Sequence, residues 1–215
     1  MKIKTRRVAM ASAAVALVLP LAACGNSNGD ESTTTTADQA SPATEAAGNF
    51  GPDCATFQQN NPSITTGMED DPFATAAGKN PELATLTNAV GKAELIDTVN
   101  GVKPGTVFAP VNRAFAKIPA ETLNSVLEDK PTLMNILTLH VVKTQKLTES
   151  SFTESGAKVA SVQGGELTLK REGEDFTVTD PQGNKARVLC GGVQTDSGPV
   201  HLIDTVLMPA AEAKQ

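Results

Sequence analysis

Tryptophan and tyrosine are both absent from this 215-residue sequence, and seven phenylalanines are its only large aromatic residues. Large aromatic side chains are the usual anchors of tight protein–protein interfaces. Their scarcity argues against a flat protein-binding surface of high affinity.

Metal-ligating residues are also scarce. The sequence has two histidines and three cysteines, without a CxxC or HExxH motif, which leaves little for a zinc site. A GxSxG pattern occurs at residues 25–29, but that motif needs a strand before it and a helix after it. No phosphate-binding loop or EF-hand pattern is present. We therefore predict that the protein is not an enzyme and holds no metal or cofactor.

Charge is biased towards acids, because 18 Lys and Arg residues stand against 24 Asp and Glu residues, a formal net charge of −6. The first 23 residues hold four of the basic residues and no acidic one, so the rest of the chain has 14 − 24, or −10. Such a chain repels phosphate groups, which argues against nucleic acid or anionic lipid headgroups as partners.

Residues 1–23 have the pattern of a lipoprotein signal peptide. A basic start precedes an apolar run, residues 8–19, that is short for a membrane span. The segment LAAC, which ends at Cys24, then matches the pattern before a lipid-modified cysteine. We predict acyl chains on Cys24 that attach the protein to the outer face of the cell membrane. Plain secretion, release from the membrane and the export route stay open.

Residues 24–50 are rich in Ser, Thr, Ala and Gly and have almost nothing apolar to bury, which predicts a disordered linker. A flexible chain of this length spans roughly 25–30 Å and would hold a folded domain away from the membrane. The threonines at residues 33–36 are open to glycosylation. We place the folded domain at residues 51–215, with its core at 71–209.

Helical patterns dominate the first half of that domain. Asn80 precedes Pro81, a pattern typical of a helix start, and apolar residues follow at helical spacing. The segment 106–119, TVFAPVNRAFAKIP, predicts a strand that ends near Pro110 and a short helix that Asn112 caps.

Strand patterns dominate the second half. Gly164-Gly165 and residues 180–184 each separate two β-prone segments, as in hairpins. Helices followed by strands predict an α+β fold.

Three segments together resemble the signature segments of fasciclin domains: TVFAPVNRAF at 106–115, ILTLHVVKTQKL at 136–147 and VHLIDTVLMP at 200–209. Within that family the chain is similar to the single-domain surface lipoprotein antigens of mycobacteria and related actinobacteria. The resemblance implies a β-wedge of about seven strands with a helical layer beside it. We see no internal repeat, so we predict one such domain.

Cys54 and Cys190 remain once Cys24 is assigned to the lipid. Export places the chain in an oxidising compartment, so a disulfide between them is the default expectation. Their placing is also similar to that in the surface antigens. Two free thiols or a metal pair are the alternatives.

The resemblance also suggests structural roles for polar residues. His140 matches a histidine that hydrogen-bonds within the core of the family, although Leu139 replaces the tyrosine that precedes it there. Asp204 matches the acid that ties the last strand to the rest. We predict one structural network of Thr106, Asn112, His140 and Asp204, with no catalytic role.

Fasciclin domains of extracellular proteins commonly mediate adhesion, so the leading hypothesis is adhesion or protein–protein contact by a monomer with an unknown envelope or protein partner. The sequence lacks Arg-Gly-Asp and the Asp-Ile pair of integrin-binding members. The alternative is a carrier or chaperone for an apolar envelope ligand, which requires a pocket of several hundred Å³ with an apolar lining. A role in envelope sensing is a third hypothesis.

Overall fold

A computed structural model describes residues 48–60, 62, 68–143 and 145–210. The predicted signal peptide, the linker up to residue 47 and Cys24 lie outside these residues. Among the described residues, no helix has the length and hydropathy needed to cross a membrane. The α-helices are α1 (Cys54–Asn60), α2 (Phe73–Gly78), α3 (Ala84–Lys92), α4 (Ile96–Asn100), α5 (Asn112–Phe115), α6 (Ala120–Glu128) and α7 (Lys130–Leu139).

Seven strands form one sheet in the order β2-β1-β7-β6-β5-β4-β3. Only the β1–β7 pair is parallel, and the other five neighbouring pairs are antiparallel. The predicted α+β fold with about seven strands is therefore confirmed. The strands are β1 (Gly105–Pro110), β2 (Val141–Lys143), β3 (Ala157–Ala160), β4 (Glu166–Glu172), β5 (Asp175–Thr179), β6 (Lys185–Thr195) and β7 (Gly198–Ile203).

Two hydrophobic cores lie on the two faces of the strands. Along β1, Phe108 belongs to one core, whereas Val107 and Ala109 belong to the other, as expected when successive side chains alternate across a sheet. The first core packs α2, α3, α4, α5 and α7 against β1, β6 and β7. The second core takes side chains from all seven strands. We refer to them as the helical core and the strand core.

The segment from β1 to α5 is at the centre of this arrangement. Every residue of β1 is buried, because β2 and β7 flank it on both sides. The strand ends at Pro110, as the sequence predicts, and the N–H of Val111 donates to the carbonyl of Ile203. This contact continues the parallel pairing for one more residue and places α5 directly against the helical core.

Two helices have apolar residues that are not fully buried. Ile96 is the first residue of α4 and is 48% exposed. Helix α6 has no fully buried residue, and its apolar residues Leu123, Val126 and Leu127 are only half-buried against the helical core. The side of the domain that α6 covers is therefore less tightly closed than the rest of the helical layer.

Candidate functional site

His140 joins α7 to the C-terminal segment. Its Nδ1 lies 2.8 Å from the carbonyl of Ile136, and its Nε2 accepts from the N–H of Leu207 at 3.0 Å. These contacts assign the proton to Nδ1, because Nε2 can accept only when it is unprotonated. Burial lowers the pKa of His140 to about 4, against the opposing effects of the Ile136 hydrogen bond and the Asp180 charge. The ring is therefore neutral at pH 7 and acts as a structural bridge.

Asp180 holds the same C-terminal segment from the β5–β6 turn. Its buried carboxylate accepts hydrogen bonds from the N–H groups of Gln182 and Asn184, from the Asn184 side chain and from the N–H of Met208. The sequence signals the turn, since Asp commonly hydrogen-bonds the backbone two residues later. The contact with Met208 has no local sequence signal.

Thr106 closes the loop that follows β2. Its hydroxyl donates to the carbonyl of Gln145 at 2.9 Å and accepts from the N–H of Leu147 at 2.8 Å. The side chain is fully buried, and both hydrogen-bonding roles of the hydroxyl are used.

Asn112 caps a different helix from the one expected. It is the first residue of α5, and its side chain accepts from the N–H of Thr85, in the first turn of α3, at 3.0 Å. Its amide nitrogen donates to the carbonyl of Pro81 at 2.7 Å. Asn112 therefore satisfies a free N–H at the start of α3 and fixes α5 beside it.

Asp204 lies just after β7 and is half-buried. It accepts from the N–H of Arg187 at 2.8 Å and pairs with Lys117 at 2.8 Å, while Thr205 donates to it at 2.9 Å. Burial acts to raise the pKa of Asp204, but the hydrogen bonds from Lys117 and Arg187 outweigh it and lower the pKa. The expected backbone contact is present, whereas Thr106 is not its partner.

The four predicted residues do not form one network. Within the described part of the chain, no hydrogen bond joins any of Thr106, Asn112, His140 and Asp204 to another of the four. Each one secures a separate junction between elements that are distant in sequence. The signature segments therefore supply independent structural contacts at several places rather than a single site.

The structure contains a disulfide between Cys54 and Cys190, with the two Cα atoms 4.6 Å apart. Cys190 is fully buried in β6, and Cys54 is the first residue of α1. Phe50, four residues earlier, is buried and pairs with Gly191. The linker predicted to extend through residue 50 therefore ends in a packed segment, because Phe50 is the one large apolar residue of that stretch.

His201 is buried among aromatic rings of the strand core. Its ring centroid lies 5.3 Å from that of Phe50, 5.4 Å from that of Phe108 and 5.8 Å from that of Phe152. Nδ1 accepts from the N–H of Gly192 at 2.9 Å, and burial lowers the pKa of His201 to about 3. This histidine is also neutral at pH 7, and the sequence alone did not single it out.

Cavities in the described domain are small or open. A groove beneath α6 has an almost wholly apolar lining but a cavity of only about 20 Å³, which is room for about one water molecule. An open concavity of about 540 Å³ lies between Gly48 and the loop after β2, lined by residues that include Glu149, Arg171 and Gln194. The described residues contain no cluster of His, Cys, Asp and Glu that could hold a metal ion.

A seven-stranded sheet with one parallel pair, a helical layer and buried polar contacts at the signature segments define a fasciclin-type domain. The fasciclin domain family matches residues 81–209. The chain belongs to the fasciclin family.

The cell surface glycolipoprotein MPB83 of Mycobacterium bovis is 41% identical over 186 residues, which covers 83% of this chain and 79% of that protein. The immunogenic protein MPB70 of the same species is 40% identical over 80% of this chain and 88% of that protein. The predicted similarity to mycobacterial surface antigens is therefore confirmed.

Among solved structures, a FAS1 domain pair from the insect cell adhesion molecule fasciclin I superposes with a TM-score of 0.50 at 27% identity. The match covers 60% of this chain and 46% of the insect chain. This chain thus spans about half of that solved structure, and the two share the fasciclin fold.

Proposed function

We propose that this chain is a lipid-anchored cell-surface protein whose fasciclin domain mediates adhesion or protein–protein contact rather than catalysis. The observation that carries the proposal is the 41% identity, over most of both chains, to a protein named as a cell surface glycolipoprotein. The fold is also shared with a protein described as a cell adhesion molecule.

Surface attachment rests on Cys24 at the end of the signal-like segment. The test is to express the full chain and its Cys24→Ser variant in the same host and to compare membrane and culture fractions. We expect the wild type to enter the detergent phase with acyl chains on its N-terminal peptide, and the variant to be released. A wild type that is released without acyl chains would overturn the anchor.

Two apolar side chains on the helical layer are exposed, Ile96 on α4 and Met134 on α7, 48% and 38% exposed. An apolar side chain that a partner covers contributes free energy through its burial, so these two are where contact with a partner is tested. The groove beneath α6 is nearly closed, and the apolar concavity beside Ile96, of about 200 Å³, is smaller than a usual ligand pocket.

The adhesion test compares cells that display the chain with cells that lack it, by counting attachment to immobilised extracellular proteins and to one another. Ile96→Glu and Met134→Glu place a charge on the exposed helical layer, and Asn124→Glu on exposed α6 is the matched control. We expect cells that display the chain to attach more than cells that lack it. At least one of Ile96→Glu and Met134→Glu should abolish this increase, and Asn124→Glu should retain it. Equal attachment with and without the chain would overturn the adhesive role.

A carrier role has less support. An acyl chain needs a pocket of several hundred Å³, whereas the groove beneath α6 has a cavity of about 20 Å³ and the apolar concavity beside Ile96 one of about 200 Å³. The half-buried Leu123, Val126 and Leu127 are the feature that favours opening of this groove. Native mass spectrometry of the exported chain tests the carrier role: an added mass that organic solvent removes would favour it over adhesion.

A further inference from the structure

Residues 48–54 attach the N-terminal side of the chain to β6, and we call them the clamp segment. The N–H of Phe50 donates to the carbonyl of Gly191 at 3.0 Å, and the N–H of Gly191 donates back at 2.6 Å. The N–H of Asp53 then donates to the carbonyl of Leu189 at 3.0 Å. β5 pairs with β6 only at residues 185–187, so the clamp segment occupies the edge of β6 that lies beyond β5.

The clamp segment holds both faces of the sheet. On one face the Phe50 ring packs in the strand core, with its centroid 4.8 Å from that of Phe176 and 5.5 Å from that of Phe152. On the other face Cys54 packs against the helical core and is bonded to Cys190. The five residues 50–54 thus cross the edge of β6 and are fixed by packing of Phe50 on one face and by the disulfide of Cys54 on the other.

The part of β6 that contacts Gly48 and Phe50 is a glycine pair, Gly191 and Gly192. A Cβ atom on Gly191 would lie 2.4 Å from the Phe50 ring, and a Cβ on Gly192 would lie 2.0 Å from the carbonyl oxygen of Gly48. Gly192 also has a φ of 78°, in the left-handed region that favours glycine. The glycine pair that follows Cys190 therefore fits the docked segment.

The sheet does not need the clamp segment to be complete. Its seven strands all lie between Gly105 and Ile203, and the fasciclin match begins at residue 81. The contacts of residues 48–54 therefore attach the preceding chain to a sheet that is already complete.

We propose that the clamp segment is a mechanical attachment. It directs tension from the N-terminal side of the chain into β6, so that the tension bypasses α1. The proposal rests on the proposed surface anchor, because the chain before Gly48 is then the tether. The disulfide is the main physical reason: tension that reaches Cys54 passes through the covalent bond to Cys190, so α1 is not pulled. At Cys190 β6 pairs with Leu202 of β7 and carries this load into the sheet.

The extension that the clamp permits is short. Six residue steps lead from Gly48 to Cys54, so freeing them lengthens the tether by at most about 20 Å at 3.3–3.6 Å per residue. Without the disulfide, peeling continues through α1, which ends at Asn60. That release corresponds to 12 residue steps from Gly48 and at most about 40 Å.

Optical-tweezers pulling of the full chain through tags at its two ends tests the proposal. We expect the oxidised wild type to show a first step of at most about 20 Å before the domain unfolds, and the Cys54→Ser/Cys190→Ser variant to show a longer first step, of up to about 40 Å when α1 is released as well. Reduction of the wild-type chain gives the same comparison without a substitution, in case the variant folds poorly. Equal first steps in oxidised and disulfide-free chains would overturn the proposal.

Phe50 and Phe57 provide a matched pair of variants, because they lie on opposite sides of Cys54. In the oxidised chain Phe50→Ala should lower the force of the first step, and Phe57→Ala should leave it unchanged. In the disulfide-free chain both should lower that force. If both variants, or neither of them, lower the force of the first step in the oxidised chain, tension does not pass through the clamp segment and the proposal is wrong. The pulling experiment involves no binding partner, so its outcome is independent of the outcome of the adhesion assay.

Discussion

The backbone N–H of Leu207 donates a hydrogen bond to Nε2 of His140, 3.0 Å away, across 67 residues of sequence. On the other side of the ring, Nδ1 contacts the carbonyl of Ile136 within α7. One buried imidazole thus links the end of a helix to the segment that follows β7. The two signature segments that contain these residues meet through this ring.

Replacement of His140 by Ala should destabilise the domain. It leaves the Leu207 N–H without its acceptor, and a buried unpaired group of this kind costs about 1–3 kcal/mol. For a domain of this size each kcal/mol lowers Tm by about 2–4 °C, which thermal denaturation followed by circular dichroism would detect. Thr138→Ala on the exposed side of α7 is the control. An unchanged Tm for His140→Ala would contradict the structural role.

Stability should fall as the pH decreases from 6.5 to 4. Burial lowers the folded-state pKa of His140 to about 4 and that of His201 to about 3, from an ordinary value of 6.5. Below pH 6.5 the unfolded chain binds protons that the folded chain does not, so acid favours unfolding. Each histidine contributes a loss of at most about 1.4 kcal/mol per pH unit in that interval.

Asp204 does not act in the same interval. Its lowered pKa makes a stabilising contribution that is complete above its ordinary value of 3.8 and is lost only at lower pH. Urea denaturation at several pH values measures the slope. His140→Gln keeps a donor and an acceptor but does not titrate, so it should reduce the slope between pH 6.5 and 4. A slope unaffected by that substitution would exclude His140 as a cause.

Asn112→Ala should cost about 1 kcal/mol, the usual effect of losing a cap at a helix start. The destabilisation should appear in α3 as well as α5, because the acceptor of the Thr85 N–H is lost. Hydrogen exchange of the Thr85 amide is the direct measurement. Asn112→Asp keeps the acceptor oxygen and should protect that amide better than Asn112→Ala. Equal exchange rates in the two variants would show that the oxygen is not the cap.

Loss of the disulfide should lower the free energy of unfolding by up to about 5 kcal/mol, the chain-entropy value for a loop of this length. The bond closes a loop over a sequence separation of 136 residues. The measurement compares urea denaturation of the oxidised chain with that of Cys54→Ser/Cys190→Ser. Ser125→Ala on exposed α6 gives a control substitution. Identical midpoints in oxidised and disulfide-free chains would contradict this contribution.

Features that depend on near neighbours in the sequence could be predicted. The end of β1 at Pro110 follows from the chemistry of proline, and the cap at Asn80 is present, since its side chain accepts from the N–H of Glu82 at 2.9 Å. The hairpin at Gly164-Gly165 also joins two antiparallel strands as expected. Turn and cap signals depend on a few adjacent residues, so the sequence contains them in full.

Contacts between distant elements could not be predicted in the same way. Asn112 has the local pattern of a cap for its own helix, and only the position of α3 beside α5 makes Thr85 its partner. The residues before Phe50 have the composition of a linker, and only the folded position of the β6 glycines provides the surface on which Phe50 packs. Ile96 is apolar, but it begins a single short helical turn that leaves it at the surface.

The position of β7 between β1 and β6 has a consequence for folding kinetics. Val200 pairs with Val107, so a strand from near the end of the chain occupies the middle of the sheet. Contacts of such sequence separation slow folding, because a long loop must close before they form. A chain emerging N-terminus first cannot assemble this sheet until residues near 203 are available. Truncation before β7 would therefore remove the central pairing of the sheet rather than an edge.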